Sequence, residues 1–281
     1  MNKGYHHQTM GIVAMVITAS LWSIAGLFIK VIDWNPVIIA GARSFIASFF
    51  ILAFLRKPKF HLSFPQLAAA VANALTMLLF VAANKKTSAA NAILLQYIAP
   101  VLTAFMGAAL LKEKAHIEHW VSMPFVAAGM MIMFAGKLGS GQFFGDVMAL
   151  MSAVTFSFYL VFMRMQKEGS PLESNLLSQW IAAGTCLIIS MFLPMPQFTQ
   201  ESIAAIFVLG ILQIGIPSIL IVIAIKRISA VSANFIAVIE PVLNPIWVFL
   251  ALGEFPGINT VIGGAIILLA VTGASIVNAR R

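Results

Sequence analysis

Charged residues are scarce in this sequence, and their scarcity decides the class of protein. Only 9% of the 281 residues are charged, whereas 61% are hydrophobic and the mean hydropathy is +0.99. A soluble domain carries about 25% charged residues to cover its surface. Most of the exterior must therefore face lipid instead of water, and we predict an all-α membrane protein.

Several motifs are also missing, and each absence excludes a kind of chemistry. Cys186 is the only cysteine, so the sequence predicts neither an intramolecular disulfide nor a cysteine-based metal site. No His-Glu-x-x-His motif, Gly-x-Ser-x-Gly elbow or P-loop occurs. These absences argue against an intramembrane protease, a serine hydrolase and direct use of ATP. We expect a protein that is not an enzyme and that has no cofactor and no metal.

Apolar windows of about 20 residues follow one another along the chain with only short connections between them. The ten predicted spans are residues 10–32, 36–55, 65–83, 88–111, 117–135, 143–163, 172–194, 203–225, 229–252 and 257–277. Backbone groups inside lipid must satisfy their own hydrogen bonds, so we predict ten transmembrane helices. The connections leave no room for a separate domain outside the membrane.

Basic residues beside the predicted spans are distributed unequally between the two sides of the membrane. With the N-terminus inside, twelve lie on the inner side and four on the outer side. Lysine and arginine accumulate on the cytoplasmic side, so we predict a multi-pass protein of the cell inner membrane with both termini cytoplasmic. The net charge of +8 is spread over many loops and forms no basic face, which argues against a nucleic-acid partner.

The two halves of the chain repeat each other. A shift of 141 residues aligns residues 85–113 with residues 226–254 without a gap, so that Pro100 falls on Pro241. We therefore expect two domains, 1–140 and 141–281, of five helices each. Because five is an odd number, the second copy crosses the membrane in the opposite sense. The expected fold is two inverted five-helix repeats, with a site near the midplane where the repeats meet.

The repeated segments also carry a family resemblance. They read "SAANAILLQYIAPVLTAFMGAALLKE" and "SAVSANFIAVIEPVLNPIWVFLALGE", each an apolar helix with a central proline and a terminal glutamate. This unit resembles the EamA-type repeat of the drug/metabolite transporter superfamily, and the resemblance covers nearly the whole chain. It implies a ten-helix fold around a central cavity. It also implies transport of small metabolites, since most members export amino acids or similar compounds.

Polar and aromatic residues recur at helical spacing inside the predicted spans, where lipid-facing positions would be apolar. The candidates for substrate binding or coupling are Glu240, Arg43, Gln96, Tyr97, Trp22, Asn73, Tyr159, Gln179, Trp180, Asn244 and Trp247. Pro100 and Pro241 are expected to bend their helices because each removes a backbone donor in mid-span. For any one candidate, the alternative is ordinary hydrogen bonding or packing between helices.

Arg43 and Glu240 are the only charged side chains well inside the predicted spans. A charge at the bilayer centre costs roughly 2.5 to 3.5 kcal/mol even on the insertion scale. Counting 1.5 Å per residue puts both at about 10 to 13 Å from the outer side, so they should face a cavity or each other. Three roles for Glu240 stay open. In the first, Glu240 releases Arg43 and binds a proton or a cationic group of the substrate. In the second, Glu240 and Arg43 form a permanent ion pair. In the third, Glu240 stays protonated beside Pro241.

The sequence as a whole predicts a secondary transporter that works by alternating access. The expected substrate is a small polar or amphipathic metabolite, amino-acid-like or similar, and the expected direction is export. Proton coupling through Glu240 is a hypothesis. The alternative class is a channel or a lipid-handling membrane protein without coupled transport. The expected partners are the substrate, protons and the lipid bilayer.

Overall fold

The computed structural model describes residues 2–87, 89–135, 143–169, 171–253 and 257–279. These residues form helices joined by short connections, and no β-strand occurs among them. Within these ranges, eight helical stretches are long and apolar enough to cross a membrane, and a shorter apolar helix covers Ile117–Met133. This is the architecture of an all-helical, multi-pass membrane protein.

Seven α-helices precede residue 140 and seven follow it among the described residues. The first set is α1 (Asn2–Trp22), α2 (Ala25–Val31), α3 (Pro36–Leu55), α4 (Phe64–Lys86), α5 (Ala89–Gln96), α6 (Ala99–Met106) and α7 (Ile117–Met133). The second set is α8 (Phe143–Met165), α9 (Pro171–Ser190), α10 (Gln200–Val208), α11 (Ile216–Ile225), α12 (Ala230–Ala237), α13 (Ile239–Leu252) and α14 (Ile258–Ala279). Two π-helical turns, Gly107–Leu111 after α6 and Leu209–Gly215 between α10 and α11, extend their neighbours.

Helix α9 differs from the other long helices because much of its buried surface is polar. The sequence predicts an apolar span over 172–194, and the chain forms a 20-residue helix there. It is nevertheless not among the stretches apolar enough to be counted as spans. Its buried polar residues are Glu173, Ser174, Asn175, Ser178 and Gln179. Such side chains need hydrogen-bonding partners, and neighbouring helices supply them for Asn175 and Ser178.

Two of the membrane helices are broken in the middle at positions that the sequence repeat relates. One break, at Tyr97 and Ile98, separates α5 from α6, and the other, at Val238, separates α12 from α13. Residues 97 and 238 are 141 positions apart, which is the repeat distance. Pro100 and Pro241 lie in the first turn after each break, where a missing backbone donor leaves no hydrogen bond unmade.

Helices α7 and α14 approach each other closely at a pair of glycines. A Cβ atom added to Gly263 would overlap the carbonyl oxygen of Gly129. Small residues allow the backbones of membrane helices to come this close and to gain van der Waals contact. The pair therefore fixes the packing of α7 on α14 at one side of the bundle.

Candidate functional site

A cavity of about 550 Å³ lies in the middle of the bundle. Helices from both halves of the chain line it, including α3, α4 and α5 from the first half and α9, α11 and α13 from the second. Ile29 and Pro36 are part of the lining, so the cavity extends towards the connection over residues 32–35. Its size is that of a site for a small molecule.

Both charged residues predicted in mid-span, Arg43 and Glu240, line this cavity. The Arg43 guanidinium donates through Nη1 to Oε1 of Gln213 at 3.3 Å, and its Nε is buried without a hydrogen-bonding partner. The Tyr97 hydroxyl is a hydrogen-bonding neighbour of the Glu240 carboxyl group. Arg43 and Glu240 act on each other electrostatically. No ion pair within 4.0 Å joins them in the part of the chain that the structure describes.

The broken helices position Tyr97 and Glu240 on the cavity wall. At the first break, the Ile98 N–H donates to the Leu95 carbonyl at 3.3 Å, and at the second the Val238 N–H donates to the Phe235 carbonyl at 3.3 Å. Both bonds reach back three residues instead of four, which tightens the helix locally and redirects it. Tyr97 lies within the first break and Glu240 two residues beyond the second.

Hydrogen bonds between helices hold much of the polar wall in place. The Asn73 amide nitrogen donates to the Ser178 hydroxyl at 2.9 Å, which ties α4 to α9. The Tyr159 hydroxyl donates to the Asn175 side-chain oxygen at 2.9 Å, which ties α8 to α9. Oε1 of Gln179, by contrast, is buried with no hydrogen-bonding partner among the described residues. The surrounding helices therefore leave one polar atom of Gln179 unsatisfied.

Aromatic rings form another part of the wall. Trp22 and Phe156 both line the cavity, and their ring centroids are 6.1 Å apart in an edge-on arrangement. Phe156 also stacks on Tyr159 at 6.1 Å. A shift of 134 residues relates Trp22 to Phe156 in the sequence, so this contact joins corresponding positions of the two halves. Aromatic faces beside polar groups suit an amphipathic ligand.

Most of the side chains selected from the sequence are brought together at this cavity. Those in the lining are Glu240, Arg43, Gln96, Tyr97, Trp22, Asn73, Tyr159, Gln179 and Asn244, and Pro241 lies beside them. The cavity lining does not include Trp180, Trp247 or Pro100.

The excluded tryptophans have other surroundings. The Trp180 side chain is 42% exposed and packs against Phe60 with ring centroids 5.6 Å apart. One residue is about 100° of rotation on a helix, so Trp180 points away from the wall that its neighbour Gln179 faces. The Trp247 ring nitrogen donates to the Ser23 hydroxyl at 2.7 Å, an interhelical bond beside the break between α1 and α2.

Four polar residues of the wall are not among the candidates selected from the sequence: Thr76, Gln213, Ser218 and Asn234. Gln213 and Asn234 are polar side chains in the middle of apolar spans. The same feature made Gln179 a candidate for substrate binding. Asn234 donates to the Thr103 hydroxyl at 2.6 Å and so joins α12 to α6, the two broken helices. Ser218 follows Pro217 in α11, and its carbonyl accepts from Asn175 at 3.0 Å.

Polar contacts, including two between the halves of the chain, lie at the opposite end of the bundle. Oε1 of Glu113 accepts from Nε of Arg164 at 2.8 Å, and Nη1 of Arg164 donates to the Ile225 carbonyl at 2.6 Å. The Gln166 amide nitrogen donates to the Pro65 carbonyl at 2.9 Å. None of these residues lines the cavity. The cavity therefore extends towards one end of the bundle, while polar contacts join the halves at the other.

Comparisons with known proteins show relatives of this chain and a solved structure with the same fold. A protein of Archaeoglobus fulgidus is 25% identical over 263 residues, covering 93% of this chain and 94% of the relative. A protein of Clostridium kluyveri is 30% identical over 210 residues, covering 71% of this chain and 67% of the relative. Both are described as uncharacterized transporters. A solved crystal structure that is 21% identical has the same fold, with a TM-score of 0.83 over 98% of this chain and 99% of that one.

The family model for EamA-like transporters matches the chain twice, over residues 9–135 and 143–276. The two matches together take in nearly all the described helices, which confirms the resemblance seen in the repeated segments. The family and the named relatives indicate a transporter instead of an enzyme. The chain belongs to the EamA-like transporter family.

Proposed function

We propose that this protein is a secondary transporter that moves a small polar or amphipathic metabolite by alternating access. The observation that carries the proposal is the central cavity, which is lined by one arginine and one glutamate and extends towards the connection over residues 32–35. Polar contacts between the halves at the other end provide the closed side that such a cycle requires.

The proposed framework is ten membrane helices arranged as two inverted five-helix repeats, residues 1–140 and 141–281. The double match to the family model supports a duplication. The helix breaks at corresponding positions of the two halves support it as well. With five helices in each repeat, the second copy is upside down relative to the first, and rocking one repeat against the other exposes the cavity to alternate sides.

The proposed location is the cell inner membrane with both termini in the cytoplasm. The excess of basic residues near one set of span ends supports this orientation. With this orientation, the end joined by Glu113 and Arg164 is cytoplasmic, and the cavity extends towards the outside. We propose export, in which this arrangement corresponds to the step that releases substrate.

The charges in the cavity favour a substrate with both an anionic and a cationic group, as in an amino acid. Arg43 offers a planar guanidinium with an unpartnered Nε, which suits a carboxylate. Glu240 offers a carboxyl group that suits an amine. Trp22 and Phe156 provide apolar surface for the remainder of the molecule.

Glu240 is also the proposed site of proton coupling. A carboxyl group that lines the substrate cavity can bind either a proton or a substrate cation. If the two compete for it, the proton gradient drives substrate in the opposite direction.

The experiment begins with a thermal-shift screen of the purified protein against amino acids, amines, purines and other metabolites. A ligand that prefers the folded state raises the melting temperature. The best ligand is then tested by counterflow in proteoliposomes. A carrier accelerates entry of labelled ligand when the liposomes are preloaded with unlabelled ligand, whereas a channel or a lipid-handling protein does not.

A matched pair of variants localises the transport activity to the cavity. Gln179→Leu removes a polar group from the wall, whereas Gln200→Leu makes the same change at the exposed start of α10. We expect several-fold slower exchange for Gln179→Leu and an unchanged rate for Gln200→Leu. Equal rates for both variants, or entry that does not depend on preloading, would contradict the proposal.

A further inference from the structure

A second cavity, of about 500 Å³, lies at the end of the bundle that the halves close. Its lining is almost entirely polar: Gln8, Lys112, Glu113, Lys114, His116, Arg164, Arg227, Ser229 and Ser232, with Ile228 as the one apolar member among the described residues. The proposed transport cycle does not require a ligand in this second cavity. Its chemistry is distinct from that of the central cavity.

Positive charge predominates around this second cavity. Lys112, Lys114, Arg164 and Arg227 each carry a positive charge. Glu113 is the one carboxylate among the described lining residues, and one of its oxygens already accepts from Arg164. Leaving His116 aside, the lining therefore carries a net excess of three positive charges. Like charges repel each other, so the arrangement favours an anion that bridges them.

One hydrogen-bonding group of Arg227 has no partner among the residues that the structure describes. Its Nη1 donates to the Ile223 carbonyl at 2.9 Å, but its Nε is buried and has no acceptor within the described residues. Leaving a buried, charged donor unpaired is unfavourable. Because this atom is buried, an oxyanion in the cavity would reach it only after a shift of the Arg227 side chain, which lines the cavity.

The start of α12 adds to the same wall. Ser229 caps this helix by accepting from the Ser232 N–H at 3.1 Å, and both serines line the cavity. The positive end of the helix dipole therefore faces the same space as the cationic side chains. Backbone donors, hydroxyl groups and guanidinium groups together are the usual recognition elements for phosphate.

We propose that this cavity is a second ligand site that binds a soluble anion bearing a phosphate group. Lys112 and Lys114 come from the first half of the chain, and Arg164 and Arg227 from the second. A bound phosphate group would contact both halves and stabilise the contacts that close this end. Occupancy would therefore slow transport, a consequence that rests on the proposed function, whereas the binding itself does not.

The lining favours a soluble anion over the headgroup of an anionic lipid. A phospholipid needs apolar surface next to its headgroup for the start of its acyl chains. Ile228 is the only apolar lining residue among those that the structure describes. The basic residues meet around a polar depression between the halves and come from connections as well as helices.

The test measures binding of labelled inorganic phosphate to the full-length protein in phosphatidylcholine nanodiscs, with chloride at matched ionic strength. We expect saturable binding that chloride does not displace. The double variant Lys112→Gln and Lys114→Gln should weaken it by roughly tenfold or more, the loss of a charge-assisted hydrogen bond. Both lysines are exposed, so this variant should fold normally.

A matched control removes the same charge elsewhere on the predicted inner side. Arg56→Gln with Lys57→Gln changes two exposed basic residues after α3 that do not line the cavity, and phosphate affinity should be unchanged. Equal weakening in both double variants would show diffuse attraction and overturn the proposal. Absence of saturable binding to the wild type would overturn it as well.

Two further measurements identify the source of the anion and test the contribution of Arg227 to its binding. In phosphatidylglycerol nanodiscs, binding should persist with about the same affinity. If phosphatidylglycerol abolishes binding, the occupant is a lipid headgroup and the soluble source is wrong. Arg227→Lys keeps the charge but removes the Nε donor, so it should weaken phosphate binding. All these readouts are independent of whether the protein transports anything, so their failure is distinguishable from failure of the proposed function.

Discussion

The two broken helices, α5–α6 and α12–α13, have the same backbone design and different side-chain chemistry. Each is interrupted at the same repeat position and carries a proline in the turn that follows. At the position two residues after the break, however, α6 has Ala99 where α13 has Glu240. The first break instead contributes Tyr97, whose repeat partner is Val238. The backbone is symmetric, whereas the cavity between the helices is not.

This difference indicates that the backbone breaks and the side chains beside them have different roles. Matching breaks in both halves allow both to bend in the same way, which suits a motion that exchanges their conformations. A single carboxyl group, by contrast, gives the cavity one titratable acid instead of two that would repel each other. The Thr103–Asn234 hydrogen bond joins α6 to α12, one segment from each of these helices.

Glu240→Gln is expected to have the largest effect because it removes the feature that α6 lacks. Glutamine keeps the size of the side chain but cannot exchange a proton. We expect loss of transport driven by a pH gradient, measured in proteoliposomes with an imposed gradient, while substrate counterflow persists at a reduced rate. Glu201→Gln makes the same change at the exposed first turn of α10 and should leave both activities intact. Unchanged pH dependence in Glu240→Gln would rule out the proton role.

Pro100→Ala and Pro241→Ala test whether the two breaks contribute equally. Alanine removes the proline ring, which clashes with the carbonyl four residues earlier, and so allows the helix to continue through the break. We expect each variant to slow counterflow by roughly fivefold without loss of folded protein, measured as initial rates beside melting temperature. Pro217→Ala, in the first turn of α11 outside both breaks, is the control. A defect confined to one of the two breaks would show that only one half bends.

Tyr97→Phe sharpens the comparison at the first break. The change removes only the hydroxyl group that neighbours Glu240. Loss of a neutral hydrogen bond corresponds to about 1 kcal/mol, so we expect a several-fold change in apparent substrate affinity. Tyr159→Phe is a useful contrast because that hydroxyl bonds to Asn175 in α9 and not to Glu240. Only Tyr97→Phe should alter the pH dependence of transport, and the same shift in both variants would contradict this assignment.

Loss of the Thr103–Asn234 hydrogen bond should have a smaller effect than the changes at Glu240, at the two prolines and at Tyr97. A double-mutant cycle with Thr103→Val and Asn234→Leu isolates the contribution of the bond between the broken helices. Interhelical hydrogen bonds in membranes average about 0.6 kcal/mol, and we expect a coupling energy near that value from unfolding in mixed micelles. A coupling energy indistinguishable from zero would show that the bond does not tie α6 to α12.

Several features could be predicted from the sequence because they depend on local patterns. The helical class follows from composition, and the position of Glu240 on the cavity follows from the cost of placing a charge in lipid. Trp180 illustrates the limit of such reasoning. It is adjacent to Gln179 and equally conspicuous in the sequence, yet a rotation of about 100° puts it on the other side of α9. Gln213 and Asn234 were missed although they carry the same signal as Gln179.

The sequence by itself determined that lipid surrounds most of the protein, which family the chain belongs to and which segments repeat. Hydrophobicity and duplication are properties of consecutive residues, so no tertiary structure is needed to see them. Only the tertiary structure decided which polar side chains share one cavity, since that depends on how each helix is rotated against its neighbours. It also decided that Arg43 bonds to Gln213 and leaves Glu240 beside Tyr97. The second, basic cavity likewise brings together residues from 8 to 232, and only packing of both halves makes them neighbours.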